Sequence, residues 1–345
     1  MEASSDPQPQ SKPKPRGWRR LFRALGLVAV QLLIVLVLLE IGARIADPLG
    51  ISYYPETARF FDTMIHEEPI SYRLKPGLDA DFHHARYKVN SIGLRGPEIA
   101  PAKPAGESRI LWLGDSIVFG IGVNDENTLP ADVERMANEN ASGRDYRVIN
   151  MGVPSYNTEQ ELIQLETVGL GLQPDAVMLL FALNDIEAKG WVFDKRASWM
   201  ADLAQRSYAL STIFILSRLA RQSTGTDSAL VHMDNYEESN PRWRAIADSL
   251  ARIKQICDQR SIPFIVLVQG SVDEVPYNMV AAEGRKNGFE VYGLRPGADP
   301  RWPDASSKRY RNSLVDSHCS AAGCEMWATL VYEHLVERGI FQATR

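Results

Sequence analysis

Apolar residues in this chain form one long run near the N-terminus and several short runs further along. The long run extends from Ala24 to Ala46 and is interrupted only by Gln31, Glu40 and Arg44. A helix needs about 20 predominantly apolar residues to span a bilayer. The run therefore predicts a transmembrane signal-anchor helix over residues 24–46.

The short apolar runs begin after Arg109 and alternate with helical patterns. Four of them are continuous, as strands buried on both faces are: RILWLG, YRVINMG, DAVMLLFAL and PFIVLVQG. FEVYGL predicts a fifth strand, and AAGCEMWATLVYEHLVERG predicts a closing helix with a period of 3.6. Strands separated by helices predict an α/β fold over residues 108–345, with a five-stranded parallel sheet between two helical layers.

Local patterns add two expectations. A helix is predicted to open at Thr158, with Glu161 three residues on completing a capping box. Residues 47–107, rich in proline, glycine and aromatic residues, are predicted to form an extracytoplasmic preface with a short strand pair that packs on the main domain. His83 and His84 fall in a strand pattern there. Adjacent strand residues point to opposite faces, so the two imidazoles are not expected to share a metal ion.

Composition and charge narrow the class of protein. The chain has 345 residues, of which 45% are hydrophobic and 23% charged, as in globular proteins. Its net charge is −5, although six basic residues crowd between Lys12 and Arg23. The remainder is more acidic still, and a domain of that sign binds polyanions poorly. Nucleic acid is therefore not expected as a partner.

The basic cluster also predicts the orientation of the apolar run. Residues 1–23 are predicted to be a disordered basic tail in the cytoplasm, which places all that follows the run in the periplasm or at the cell surface. A cleaved signal peptide is one alternative, but Glu40 and Arg44 stand where a small-residue cleavage site is expected. A buried core helix is the other, and the basic flank disfavours it.

Chemically versatile residues follow the predicted strands. Active sites of open α/β sheets form at the carboxyl ends of the strands. Ser116 follows the first strand, Gly152 closes the second, Asn184 follows the third, and Asp316 and His318 precede the closing helix. All of these residues are therefore expected at one edge of the sheet.

This set of residue types suits acyl transfer. A serine hydroxyl needs a neighbouring base to become a nucleophile, and His318 can take and return its proton while Asp316 orients the imidazole. The backbone N–H groups of Ser116 and Gly152 and the side-chain amide of Asn184 are candidate donors to the oxyanion of the tetrahedral intermediate. No metal ion or cofactor is needed for this chemistry.

Four sequence blocks carry a family resemblance. GDSIVFG, NMGVPSYNT, FALNDI and DSHCSAAG occur in this order and resemble the blocks of the SGNH/GDSL serine hydrolases. The upstream VNSIGLRG resembles a segment found in some membrane-anchored or secreted members. The resemblance covers about Arg109 to the C-terminus. It implies a flavodoxin-like sheet, the catalytic and oxyanion roles just described for Ser116, His318, Gly152 and Asn184, and no metal.

The chain departs from the family pattern in two places. Many members have the aspartate three residues before the histidine, whereas Asp316 precedes His318 by two. Cys319 stands where many members have proline, and Cys324 follows a short way on. An extracytoplasmic location permits a disulfide between these cysteines, and the sequence leaves a bridge and two free thiols equally open.

The leading functional hypothesis is a serine esterase that acts through an acyl-enzyme. Its substrates are predicted to be small-molecule esters or acyl groups on envelope glycans or lipids. Two alternatives remain at this point. One is an O-acyltransferase on the same scaffold, and the other is a non-catalytic binding module that keeps the fold.

Overall fold

The computed structural model describes residues 16–47, 50–141, 143–190, 206–213, 216 and 236–342. These residues fall into two compact units, Met1–Asp47 and Pro48–Arg345. Most of the predicted N-terminal tail lies outside the described residues.

The first unit consists of one long helix, α1 (Arg16–Ala46). Within it, Arg20–Ile45 is the one segment of the described residues that is long and apolar enough to cross a membrane, with a mean hydropathy of 2.7. None of this segment is buried, whereas the core helix of a soluble protein is mostly buried. Its length and composition suit a membrane span and a signal sequence equally.

The second unit contains nine strands and seven helices among its described residues, apart from short 3₁₀ turns. The strands are β1 (Ile65–Glu67), β2 (Ser71–Arg73), β3 (Asp79–Phe82), β4 (Ala85–Lys88), β5 (Glu107–Gly114), β6 (Asp145–Gly152), β7 (Ala176–Phe181), β8 (Phe264–Val268) and β9 (Glu290–Gly293). The helices are α2 (Tyr53–Phe61), α3 (Ser116–Phe119), α4 (Leu129–Glu139), α5 (Thr158–Thr167), α6 (Pro241–Asp258), α7 (Tyr277–Asn287) and α8 (Ala321–Glu337).

The central sheet has the strand order β6-β5-β7-β8-β9, and all of its pairs are parallel. This order is flavodoxin-like, so the predicted fold class is confirmed. In the register of β5 and β6, Gly114 lies opposite Gly152. The segments that follow these two strands therefore leave the sheet at the same edge.

Both faces of the sheet are buried because every residue from Ile110 to Gly114 is buried. Leu113 joins an apolar cluster that includes residues of α5, α6 and α7, while its neighbour Trp112 joins a cluster that includes residues of α4 and α8. Successive strand side chains point to opposite faces. A continuous apolar strand thus requires helices on both sides, and the chain supplies them.

The preface forms a third apolar cluster with one end of the sheet domain. Phe60, Tyr72 and Tyr87 pack with Phe119 and Tyr156, which follow β5 and β6. Among these, the Tyr156 hydroxyl donates a hydrogen bond to the Tyr72 carbonyl. The preface is therefore in contact with the segments that leave the sheet at its carboxyl edge.

The strand interpretation of the two adjacent histidines is wrong. β3 ends at Phe82 and β4 begins at Ala85, so His83 and His84 are the two residues of the hairpin turn. Both have positive φ, 52° and 60°, as a type I′ turn requires. Histidines are unusual there, so the pattern gave little sign of a turn.

The predicted capping box at α5 is displaced by one residue. The N-cap is Asn157, whose side chain accepts from the Gln160 N–H while the Gln160 side chain reaches back. Glu161 is instead fully buried, and among the described residues neither of its carboxyl oxygens has a hydrogen-bond partner. Burial, together with the nearby Asp185, raises the Glu161 pKa well above its ordinary value, so we expect this carboxyl group to be neutral at pH 7.

Candidate active site

Ser116 occupies the first position of the helix that follows β5. Asp115 caps this helix, because its Oδ1 accepts from the Ile117 N–H at 2.9 Å. The predicted strand-to-helix turn is therefore present. It places the Ser116 hydroxyl at the carboxyl edge of the sheet and at the positive end of a short helix.

Ser116, His318 and Asp316 form a continuous hydrogen-bonded chain. His318 Nε2 lies 2.7 Å from Ser116 Oγ, and His318 Nδ1 lies 2.5 Å from Asp316 Oδ1. An ionised carboxylate only accepts, so Nδ1 carries the proton and Nε2 is the acceptor for the serine hydroxyl. The two residues between which the sequence spacing is unusual are thus in direct contact.

A tight loop explains how Asp316 can act from only two residues away. Its Oδ1 also accepts from the His318 backbone N–H at 3.1 Å, and its Oδ2 accepts from Asn312 Nδ2 at 3.0 Å. Asn312 in turn donates its backbone N–H to the His318 carbonyl at 2.9 Å. The carboxylate is held from three directions, which fixes the imidazole with it.

The electrostatics of this pair favour a charged imidazole. Burial lowers the His318 pKa, but the hydrogen bond and charge of Asp316 outweigh it, and the His318 pKa lies above its ordinary value. Burial raises the Asp316 pKa, yet the contacts from His318 bring the Asp316 pKa below its ordinary value overall. Such a pair can accept a proton from Ser116 and hold the resulting cation.

Asn184 lies in the 3₁₀ turn after β7, and it lines the same cavity as Ser116. Its Nδ2 donates to the Tyr156 carbonyl at 3.4 Å, and it also bonds to the carboxylate of Asp115. The amide is therefore oriented by the residues that flank the serine, as a candidate oxyanion donor must be.

Gly152 has a different part in the structure from the predicted oxyanion donor. Its N–H donates to Asn150 Oδ1 at 2.9 Å, and it is absent from the described wall of the cavity. A Cβ at this position would meet the Phe119 nitrogen at 2.1 Å. Glycine is needed here because helix α3 approaches the end of β6 so closely.

Ser155, which the sequence did not single out, lies in the loop that follows β6. Its φ is +63°, a left-handed conformation that is uncommon for a residue other than glycine. Its backbone N–H donates to no group among the described residues. Strained residues cluster at functional sites, so Ser155 is a second candidate for the third oxyanion donor. The sequence signal was slight, namely a serine in a turn.

The preface contributes two further groups that the sequence did not reveal. The ring of Tyr53 lies 5.8 Å from the ring of His318 and 5.7 Å from that of His83, centroid to centroid. Tyr87 accepts from the Gly122 N–H at 2.8 Å, so its own proton is donated to His83 Nδ1 at 3.0 Å. Burial lowers the His83 pKa to about 3. This buried neutral network backs the face of the candidate catalytic imidazole.

Arg95, in the GLRG segment of the preface, secures the other end of helix α3. Its buried guanidinium lies over the rings of Tyr87 and Phe119 and pairs with Asp125 at 2.8 Å. It donates to three backbone oxygens at 2.6–2.7 Å, those of Phe119, Gly120 and Val123. The carbonyls at a helix end have no partner within the helix. Arg95 satisfies them and so holds the helix that presents Ser116.

The hydrogen-bonded residues open onto a cavity of about 620 Å³. One part of its wall is apolar and includes Leu129, Leu183 and Trp327, while Gln269, Ser306 and Arg311 supply polar groups. This volume is within the range of small-molecule sites, roughly 300–1,000 Å³. The cavity can therefore hold an acyl group together with part of an alcohol.

Cys319, directly after His318, is bonded to Cys324 in the structure, with Cα atoms 5.4 Å apart. Cys324 lies in the first turn of α8. The bond ties the loop that carries His318 to the closing helix. Cys257, the remaining cysteine, is buried in α6.

The comparisons with known proteins agree on the sheet domain. Residues 112–325 match the model of the GDSL-like lipase/acylhydrolase family. Similar solved structures include a lipase/acylhydrolase from Enterococcus faecalis, which is 16% identical with a TM-score of 0.40, the match covering 69% of this chain and 99% of that one. None of the curated proteins matches the chain.

Two further solved structures that resemble the chain are esterases. One is a two-domain esterase active on acetylated mannans, crystallised with mannopentaose, which is 14% identical with a TM-score of 0.44 over 70% of this chain and 52% of that one. The other is an acetyl xylan esterase, 14% identical with a TM-score of 0.41 over 66% of this chain and 99% of that one.

Proposed function

Because the chain belongs to the GDSL-like lipase/acylhydrolase family, and is thus a hydrolase of ester bonds, we propose that it cleaves esters through a Ser116–His318–Asp316 triad and an acyl-enzyme. The observation that carries this proposal is the unbroken chain of contacts from Ser116 Oγ to His318 Nε2, 2.7 Å, and from His318 Nδ1 to Asp316 Oδ1, 2.5 Å.

The first half of the reaction forms the acyl-enzyme. Ser116 Oγ attacks the ester carbonyl carbon while His318 Nε2 takes the hydroxyl proton, and the carbonyl oxygen becomes an oxyanion. Asp316 stabilises the imidazolium that forms. The C–O bond to the alcohol then breaks, and His318 returns its proton to the leaving oxygen. In the second half a water molecule repeats these steps and releases the acid.

The oxyanion requires donors aimed at its developing charge. We assign the Ser116 N–H and the Asn184 side-chain amide to this task. For the third donor we favour the Ser155 N–H over that of Gly152, since Gly152 would first have to give up its bond to Asn150. The contact between Asn184 and the Tyr156 carbonyl supports this choice, because it brings the Ser155 loop to the amide.

Removing the Asn184 amide is expected to lower kcat by about 100- to 1,000-fold, as loss of one oxyanion donor does. Steady-state kinetics of Asn184→Ala on the best ester substrate will check this. Two controls apply. Ser155→Gly keeps the backbone N–H and relieves the left-handed strain, so it should retain wild-type turnover. Asn287→Ala, at the end of α7, should do so as well. A loss below about threefold in Asn184→Ala would remove it from the oxyanion hole.

The substrate is proposed to be an ester of a small or medium acyl group carried by an envelope glycan or lipid. The cavity supports this size, and its polar wall residues suit a hydroxylated alcohol. Initial rates of the full-length chain in detergent should be measured on p-nitrophenyl esters from acetyl to decanoyl and on acetylated oligosaccharides. A maximum at short acyl chains is expected. Hydrolysis of no ester in the series would contradict the proposal.

The proposed topology keeps the boundaries drawn from the sequence: a cytoplasmic tail over 1–23, a membrane anchor over 24–46, a preface over 47–107 and the hydrolase domain over 108–345. It rests on the unburied apolar helix and on the basic residues before it. We expect the full-length chain to stay in the membrane fraction after a carbonate wash. A C-terminal alkaline phosphatase fusion should be active. A soluble product that begins near Asp47 would show cleavage instead.

A further inference from the structure

One fixed positive charge stands among the described residues of the cavity wall. That charge is Arg311, and the other ionisable groups of the wall are Asp115 and His318. Asp115 is buried, whereas Arg311 is exposed. An arginine at the mouth of a reaction cavity is a ready recognition group for an anion, because its guanidinium matches carboxylate and phosphate geometry.

No acid of the described residues neutralises this arginine. Its guanidinium takes part in no hydrogen bond or ion pair there. Arg301, ten residues earlier, shows the contrast, since it is paired with Asp299 and Glu333 at 2.5–2.6 Å. Lys308 and Arg309 precede Arg311 in an exposed segment that contains no acidic residue. The domain as a whole is acidic, so this segment is a local exception.

The backbone fixes Arg311 beside the catalytic histidine. Arg311 pairs with Cys319 in an antiparallel bridge, and the next residue, Asn312, donates to the His318 carbonyl at 2.9 Å. Residues paired in this way have Cα atoms about 4.5–5.5 Å apart. Arg311 therefore lies opposite the residue that follows His318, on the side of the cavity that the histidine loop builds.

The position relative to His318 indicates which half of the ester the arginine meets. In the acyl-transfer steps His318 returns its proton to the leaving oxygen, so the alcohol half of the ester lies nearest to His318. A charge held by the same loop is thus close to the alcohol and not to the acyl group. Gln269, Ser306 and Ser317 on the same wall offer hydrogen bonds to hydroxyl groups.

We propose that Arg311 is a specificity-determining residue that binds an anionic group on the alcohol half of the substrate. The substrate class is then an acyl ester of an acidic sugar, with a carboxylate as the anion. This inference rests on the proposed ester hydrolysis and names its substrate. It also accounts for an uncompensated cation on the site of an acidic enzyme.

The test compares matched substrates and matched variants of the full-length chain. The substrates are the O-acetyl derivatives of methyl glucuronoside, of methyl glucoside and of glucose 6-phosphate, which differ in the group at one sugar carbon. The variants are Arg311→Gln and, as the control, Arg309→Gln. Arg309 lies two residues away over the Tyr310 ring, outside the described wall of the cavity.

We expect the wild type to prefer the glucuronoside to the glucoside. Arg311→Gln should lower kcat/KM on the glucuronoside by about 10-fold or more, mainly through KM, and change it by less than about twofold on the glucoside. Arg309→Gln should match the wild type. Raising NaCl from about 50 to 500 mM should reduce the preference of the wild type and leave Arg311→Gln unaffected.

Three outcomes would overturn the inference. They are equal rates of the wild type on charged and neutral sugars, equal losses on both in Arg311→Gln, and a preference for the phosphate with none for the carboxylate, which would transfer the site to a phosphorylated sugar. The proposed function fails separately. If Ser116→Ala abolishes hydrolysis of the neutral glucoside ester while Arg311→Gln changes no preference, the hydrolase stands and the anionic substrate falls.

Discussion

Ser116→Ala is expected to lower kcat on the best ester by about five to six orders of magnitude and to leave the fold intact. Only the hydroxyl is lost, and it is the atom that His318 Nε2 contacts at 2.7 Å. Losses of this size follow removal of a nucleophile whose partners act as a unit. Stopped-time assays at high enzyme concentration, with circular dichroism as the check on folding, give the measurement.

Ser317→Ala is the matched control for this variant. Ser317 also lines the cavity and directly precedes His318, yet it takes no part in the proposed proton transfers. It should keep kcat within a few-fold of the wild type. In the double variant Ser116→Ala/His318→Ala the loss should hardly exceed that of Ser116→Ala alone. Near wild-type turnover in Ser116→Ala would contradict the triad outright.

Asp316→Asn is expected to lower kcat by about 10⁴-fold, since an amide in that place favours the wrong imidazole tautomer. The variant also changes the pH dependence in a predictable direction. Activity needs neutral His318, so kcat/KM rises with pH through the raised His318 pKa. Without the carboxylate the imidazolium loses its stabilising charge, the His318 pKa falls, and the acidic limb of the profile should move to lower pH.

Profiles of kcat/KM against pH for the wild type and Asp316→Asn will check both effects. Asp258→Asn, an exposed aspartate at the end of α6 that pairs with Lys254, serves as the control and should leave the profile unchanged. A drop of less than about tenfold with an unmoved acidic limb would mean that another group orients His318. Asp115 would then be the next carboxylate to test, because its charge also acts on that histidine.

The sheet and the catalytic edge were predictable because they depend on local patterns. Continuous apolar runs such as residues 176–181 are buried on both faces, and only a parallel sheet covered by helices buries them so. The ends of such strands meet at one edge, which placed Ser116, Asn184 and His318 together before any geometry was known. The two-residue spacing of Asp316 was the uncertain element, and it depended on a loop with no periodic pattern.

The contributions of the preface could not be predicted, because they depend on contacts distant in the sequence. Tyr53 meets His318 across more than 260 positions, and nothing in the local pattern around Tyr53 marks it. Arg95 reads as one charged residue in a glycine-rich turn, although it is buried under the nucleophile helix. Such residues emerge only when the tertiary structure brings the segments together.

Errors of a single residue had physical causes as well. Asn157 and Thr158 are both good N-caps, and the choice was decided by the burial of Glu161 against the sheet domain. Gly152 was predicted to donate to the oxyanion from its position at a strand end. The direction of its N–H depends on the Asn150 side chain, which a sequence pattern does not specify.

Covalent labelling by a fluorophosphonate, located by peptide mass spectrometry, tests the central claim most directly. Such a probe reacts with an activated serine and leaves its phosphonyl group on the oxygen, with fluoride as the leaving group. The full-length chain is predicted to take up one label, on Ser116, and His318→Ala is predicted to react far more slowly. A label on another serine, or no label in a preparation that hydrolyses esters, would contradict the assignment of Ser116 as the nucleophile.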